Sequence, residues 1–290
     1  MMDTLIKALA SNGAIRIFVA DTTELVREAA KRHHCLPAAA AALGRTLSAG
    51  ALLGANLKGA DEKVTVQING GGPLGTIMVD ANGQGEVRGF VANPEVHFIH
   101  PTTHKLDVSR AVGKDGTLKV ILDRNLKSDF TGTVDLQTGE IAEDFAYYYT
   151  VSEQTPSAVS LGVLVDEHNE VKAAGALMIQ MMPSASEADI LMAEHVVANL
   201  RPISAMISDG MTPEDIATRL FDETVVLETI PLKFKCTCSK DRMADALKTL
   251  ERDEIEAMIH EDHGCEITCH FCNTTYRFTE SELYSLTVRS

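Results

Sequence analysis

"KVTVQINGGGPLGTIMVDANGQGEVRGFV", residues 63–91, is the stretch on which the fold turns. It holds three runs, "KVTVQI", "GTIMVD" and "GEVRGFV", divided by "GGGP" and "ANGQ". Apolar residues at every second position mark strands with one face in a core. Asn82-Gly83 is a strong hairpin signal, because both residues tolerate the positive φ that tight turns demand. Strands joined by such short turns run antiparallel. The glycine-rich "NGGGPLG" at 69–75 lacks a Gly-Lys-Ser/Thr ending and leads into a strand, so it reads as a turn rather than a phosphate loop.

Outward from this block the pattern continues. "GAIRIFVAD" alternates Ile15, Ile17 and Val19 as a half-buried strand would. A helix follows in "TTELVREAAKRHH", and Pro37 opens a second, alanine-rich one running to "GANLKG". Further strands are expected at "LKVIL", "SAVSLGVLVD" and "VKAAGALMIQM", with a helix near "EIAEDFAYYYTVSE". Hairpins plus separate helices predict an α+β domain over 1–181, with antiparallel sheets covered by helices.

From 182 to 231 the pattern turns to short helices, read as a helical linker. "SEADILMAEHVVANL" puts Ile190, Ala193, Val197 and Leu200 on one face, and Ser186 with Asp189 fits a capping box. "TPEDIATRLF" begins with Thr212 as N-cap and Pro213 at the first helical position. The apolar face of this region must lie against something, and the first domain is the candidate.

Residues 232–290 form a small C-terminal domain. Two helices, "SKDRMADALKTL" and "ERDEIEAMIHEDHG", precede "CEITCHFCNTTYRF", which reads as strand, cysteine-bearing turn, strand. A unit this small usually needs a metal or disulfide staple. Five of the six cysteines lie here, at 236, 238, 265, 269 and 272, and the sixth is Cys35. A secreted disulfide scaffold would instead be short and spread its cysteines throughout.

Cys236, Cys238, Cys269 and Cys272 make a CxC-x30-CxxC pattern. A CxxC turn projects two thiolates to one side, a common half-site for tetrahedral Zn²⁺, and CxC supplies the other two in a tighter arrangement. Iron–sulfur sets usually show other spacings, so zinc is favoured. Lys233, Lys235, Lys240 and Arg277 are placed to offset the negative charge of four thiolates. Cys265, four residues before Cys269, could replace one ligand, and His260, His263 and His270 are close in sequence. Most such zincs are purely structural. Thiols adjacent within each half-site, however, can be closed locally by an oxidant, which would remove the ligands and the folding energy they carry. A thioredoxin reading of CHFC fails on context, since that motif opens a helix and here a strand follows.

Composition excludes several classes. The 290 residues are 45% hydrophobic and 23% charged, which suits a globular protein of two domains. No run of eighteen apolar residues suggests a membrane span, and the N-terminus carries no recognisable export signal, so a cytoplasmic location is expected. A net charge of −15 repels phosphate backbones, and the lack of Trp removes stacking platforms, so nucleic-acid binding is disfavoured. The His33-His34-Cys35 run and the serines of "EQTPSAVSLG" assemble no active site, so no catalytic residues and no enzyme are expected.

CxC-x30-CxxC, together with "GRTLSAGALLGANLKG", "NGGGPLGTIMVDANGQGEVRGFVANP", "LDVSRAVG" and "SEQTPSAVSLGVLV", closely resembles the bacterial redox-regulated heat-shock holdase family, the 33 kDa chaperonins. The resemblance spans essentially the whole chain. It implies an ATP-independent cytosolic chaperone, inactive when reduced and zinc-bound, with one Zn²⁺ per chain on Cys236, Cys238, Cys269 and Cys272. It further implies that peroxide with heat, or hypochlorite, closes disulfides Cys236–Cys238 and Cys269–Cys272 with loss of zinc. The zinc domain and the linker at 182–231 would then disorder, and the protein would bind unfolding clients, commonly as a homodimer. Cys35 and Cys265 lie outside the matched motif. The alternative reading is a zinc-ribbon regulator or nucleic-acid adaptor with a purely structural zinc.

Overall fold

A computed structural model describes residues 2–59, 61–125 and 129–287. The chain divides into two compact units, Met1–Lys235 and Cys236–Ser290.

The first unit opens with β1 (Thr4–Ala10) and β2 (Ile15–Asp21), then α1 (Thr23–Arg32) and α2 (Pro37–Gly54). The expected meander follows as β3 (Lys63–Asn69), β4 (Ile77–Asn82) and β5 (Glu86–Val91). Next come α3 (Val108–Val112), β6 (Thr117–Asp123), β7 (Phe130–Asp135), α4 (Ala142–Val151), β8 (Ser157–Val165) and β9 (Val171–Met181). The unit closes with α5 (Glu187–Ala198), α6 (Ile203–Ser208), α7 (Pro213–Leu220), β10 (Val225–Pro231) and β11 (Lys233–Phe234).

Among the described residues, one sheet runs β10-β1-β2-β9-β8 and the other β11-β5-β4-β3-β6-β7. All pairings are antiparallel except β11, which lies parallel to β5. The β4–β5 hairpin forms at Asn82-Gly83, but the residue that takes positive φ is Gly85, at 74°. Asn82 Oδ1 accepts from the amides of Gln84 and Glu86 at 3.0 and 3.1 Å, so a three-residue loop with a left-handed glycine closes the turn.

Helix α2 explains the architecture. Every residue in it except Arg45 is buried, because it lies between the sheets, touching β8 and β9 on one side and β3, β4 and β5 on the other. Glycine at the tightest contacts allows that approach. A Cβ on Gly44 would sit 2.5 Å from a Val26 methyl and 2.8 Å from a Val163 methyl.

The second face of the first sheet is covered as well. Ile15, Ile17, Val19, Leu177 and Ile179 pack there with Ile203, Met206, Ile207, Ile216, Ala217 and Phe221. The amphipathic helices after residue 182 thus lie on the sheet of the first 181 residues. Strand β2 is consequently buried on both faces, with Phe18 and Ala20 in the core around α2 and Ile15, Ile17 and Val19 in the other. That corrects the half-buried reading. The capping boxes at Ser186/Asp189 and Thr212/Asp215 both form.

Helix α5 departs from expectation, since only Ala193 of its expected inner face is buried, while Ile190 and Val197 are exposed. Residues 225–231, read with the helices, are instead strand β10. Its side chains are mostly exposed, so no apolar alternation marks it, and pairing with β1 supplies its order.

The second unit comprises α8 (Lys240–Leu247), α9 (Arg252–His260), the β12 (Gly264–Thr268)–β13 (Thr275–Thr279) hairpin and α10 (Glu280–Thr287). Leu247, Ile255, Ile259, Phe278 and Leu283 form its buried centre. So small a core supplies little stability on its own.

Candidate metal centre

Two local structures aim the four motif cysteines at one point. Cys236 and Cys238 lie on the extended segment before α8, with Thr237 between them. That segment ends at Ser239, whose hydroxyl accepts from the Arg242 amide at 3.2 Å and caps the helix. Cys269 and Cys272 occupy the β12–β13 turn. The Cys269 amide donates to Thr274 O at 2.9 Å, and Cys269 O accepts from Cys272 N at 3.3 Å and Asn273 N at 2.8 Å. Asn273 takes φ of 58°, which lets the chain reverse behind the sulfurs.

The four sulfur atoms all lie within 4.8 Å of one another. Cys236 Sγ is 3.7 Å from Cys269 Sγ, and Cys238 Sγ is 3.3 Å from Cys272 Sγ. A tetrahedron with Zn–S bonds of about 2.3 Å has edges of about 3.8 Å. The sulfurs therefore fit a tetrahedral ion after small adjustment. Four clustered cysteine thiols could hold a metal ion.

Nearby donors prepare the site for negative charge. Tyr276 OH is 3.1 Å from Cys238 Sγ, and Thr274 Oγ1 is 3.3 Å from Cys272 Sγ. At Cys272 burial opposes ionisation but is outweighed by the Thr274 hydroxyl and amide and by the neighbouring thiols, which bring the thiol down to about 7. At Cys269 burial dominates over the amides of Phe271 and Cys272 and pushes the thiol up to about 12. The contact with Cys238 also raises the Tyr276 phenol to about 12, keeping it a donor.

The basic residues expected to offset the thiolates are engaged elsewhere. Lys233 and Lys235 pair with Glu86, Lys240 with Glu282 and Arg277 with Glu266. Hydroxyl and amide donors do that work in their place. These donors escaped the sequence reading, although Thr274 and Tyr276 sit within four residues of Cys272 and could have been found from the turn itself.

The rival ligands stand outside the cluster. Cys265 packs against the small core around Leu247. His263 Nδ1 is 2.8 Å from Glu280, and His260 lies edge-on to Tyr284. Cys35 is in the first unit, against the core around α2. All six cysteines are thiols, and CHFC spans a turn between two strands rather than a helix start.

The comparisons with known proteins agree over the full length. The family model described as Hsp33 protein matches residues 3–279. The 33 kDa chaperonin of Staphylococcus carnosus is 49% identical over 286 residues, covering 98% of this chain and 97% of that protein. That of Bacillus subtilis is also 49% identical, with 98% of each covered. The crystal structure of the Hsp33 homologue from Thermotoga maritima superposes with a TM-score of 0.92 at 36% identity, covering 99% of this chain and 98% of that one.

Proposed function

The chain belongs to the Hsp33 family, and on that premise we propose that it is a redox-regulated holdase whose switch is the thiol cluster of its second unit. The observation that carries this reading is the gathering of four thiols within 4.8 Å in a unit with a very small core. Cys236, Cys238, Cys269 and Cys272 would be the ligands of one Zn²⁺ per chain. When bound, zinc joins two half-sites distant in sequence and supplies the folding energy that the small core lacks.

Oxidation acts on the ligands themselves. Closing one disulfide takes two protons and two electrons from a pair of thiols, and peroxide accepts them as it is reduced to water. Pairing within a half-site, Cys236 with Cys238 and Cys269 with Cys272, closes only a few residues of chain. Pairing across the half-sites would bridge more than thirty residues and leave the unit stapled. Local pairing therefore discards both the ligands and the tie, and the second unit unfolds.

Domain limits follow from this role. Residues 1–181 form the core, 182–231 the linker that loosens, and 232–290 the switch. The linker segment already carries exposed apolar side chains, Ile190, Leu191, Met192 and Val197 on α5 and Val225 and Leu227 on β10, which suits capture of unfolding clients. Binding needs no turnover, so no catalytic residues are assigned. The active form would be a homodimer, and a reducing cytosol would hold it in the resting state. Among the described residues, no helix is long and apolar enough to cross a membrane.

Zinc titration of Cys236→Ser and Cys265→Ser tests the ligand set. Affinity should fall by orders of magnitude for Cys236→Ser and stay unchanged for Cys265→Ser; the reverse would overturn the assignment.

A further inference from the structure

In the first unit, far along the chain from the cysteines, a pocket of about 200 Å³ opens where both sheets, α2 and α4 meet. Its lining comes from five separate segments and includes Arg16 of β2, Asn56 after α2, Arg124 after β6, and Tyr149 of α4. Leu53, Leu57 and Leu122 form an apolar flank.

The charges in this pocket are unbalanced. Arg16 is half-buried, yet Nε and Nη2 both donate to a neutral acceptor, Gln180 Oε1 on the paired strand. Gln180 is itself the polar residue that interrupts the apolar run of β9, and it is 2% exposed. Arg16 forms no ion pair among the described residues, while Arg124 acts on the nearby Glu62 carboxylate. Glu153 also lines the pocket, with its Oε1 accepting from Tyr148 OH at 2.6 Å, so one carboxylate stands against two guanidiniums. Tyr149 is 5% exposed, and its buried hydroxyl has no hydrogen-bond partner. A half-desolvated guanidinium whose hydrogen-bond acceptor is a neutral amide, and a buried phenol without an acceptor, are each costly. One group satisfies both, namely an oxyanion.

We propose that this pocket binds a small molecule carrying a carboxylate or phosphate group, held by Arg16, Arg124 and the Tyr149 hydroxyl with its apolar part against Leu53, Leu57 and Leu122. The volume lies below the range of about 300–1,000 Å³ that suits drug-sized ligands, which sets the class as a small metabolite-sized anion rather than a nucleotide cofactor or a peptide. The guanidinium forks favour a planar or tetrahedral oxyanion over a halide.

The test is a nuclear magnetic resonance titration of the full-length reduced, zinc-loaded chain with inorganic phosphate and, separately, with butyrate, against sodium chloride at equal ionic strength. Saturable shifts at the Arg16 Nε–H and the Tyr149 ring are expected with at least one of the two anions and not with chloride. Phosphate alone or butyrate alone would name the headgroup. Tyr149→Phe keeps the ring and should weaken binding by about tenfold. Arg124→Gln changes an exposed side chain and should weaken it by about two- to fivefold. Shifts that never saturate, that chloride reproduces, or that persist with unchanged affinity in both variants would overturn the proposal.

Discussion

Burial sets the fate of Cys35. It pushes that thiol up to about 12, so at neutral pH almost none of it is thiolate. Iodoacetamide at pH 7.5 should therefore leave Cys35 unmodified in the native chain and label it in urea, as read by peptide mass spectrometry; equal labelling in both would refute this. Asp3 shows burial acting on an acid. Its carboxylate accepts from the Glu24 and Leu25 amides at the start of α1, at 3.0 and 2.7 Å. Desolvation outweighs both bonds and raises the carboxyl to about 6. The folded chain thus holds this proton more tightly than the unfolded one, whose pKa is about 3.9. The stability it contributes is fully present below about pH 4 and is lost as pH rises through 6. Urea unfolding should show wild type gaining on Asp3→Asn as pH falls from 6.5 to 4, whereas parallel profiles would contradict the shift. The cysteine ligand candidates were legible because the spacing inside each half-site is local. Asp3 and Tyr149 were not, since their burial and partners come from chain far away.

Between β10 and β11 the chain passes from one sheet to the other in a single residue. The Leu232 amide donates to Asp3 O at 2.9 Å, Lys233 N to Gly85 O at 3.0 Å, and Lys235 N to Val87 O at 2.9 Å. Gly85 makes this crossing possible. It holds φ of 74°, and a Cβ there would lie 2.1 Å from Pro231 O. Gly85→Ala should cost about 1–3 kcal/mol by thermal unfolding and speed hydrogen exchange at Lys233 and Lys235. An unchanged melting temperature would rule out the crowding. The sequence announced the meander around Gly85 through alternation and turn residues. It did not announce β1, where "TLIKALA" mixes helix formers with apolar residues, nor β10, whose side chains mostly face outward. Long-range pairing decides both elements, and no local pattern carries that information.

At the scale of the molecule the two units differ in what holds them. The first has two extensive cores on either side of one sheet, while the second depends on five buried residues and its thiols. A chelator should therefore abolish amide protection in residues 236–287 while leaving β2, β3 and α2 protected; uniform loss would contradict separate supports. The central claim is that ligand oxidation, metal loss and client binding are one event. Its most direct measurement treats one preparation with peroxide at raised temperature and follows zinc release, thiol count and light scattering of a heat-unfolding client enzyme together. Zinc and four thiols should disappear in step with the onset of aggregation suppression, and the reduced protein should suppress none. Loss of zinc and thiols with no suppression of aggregation would contradict the account.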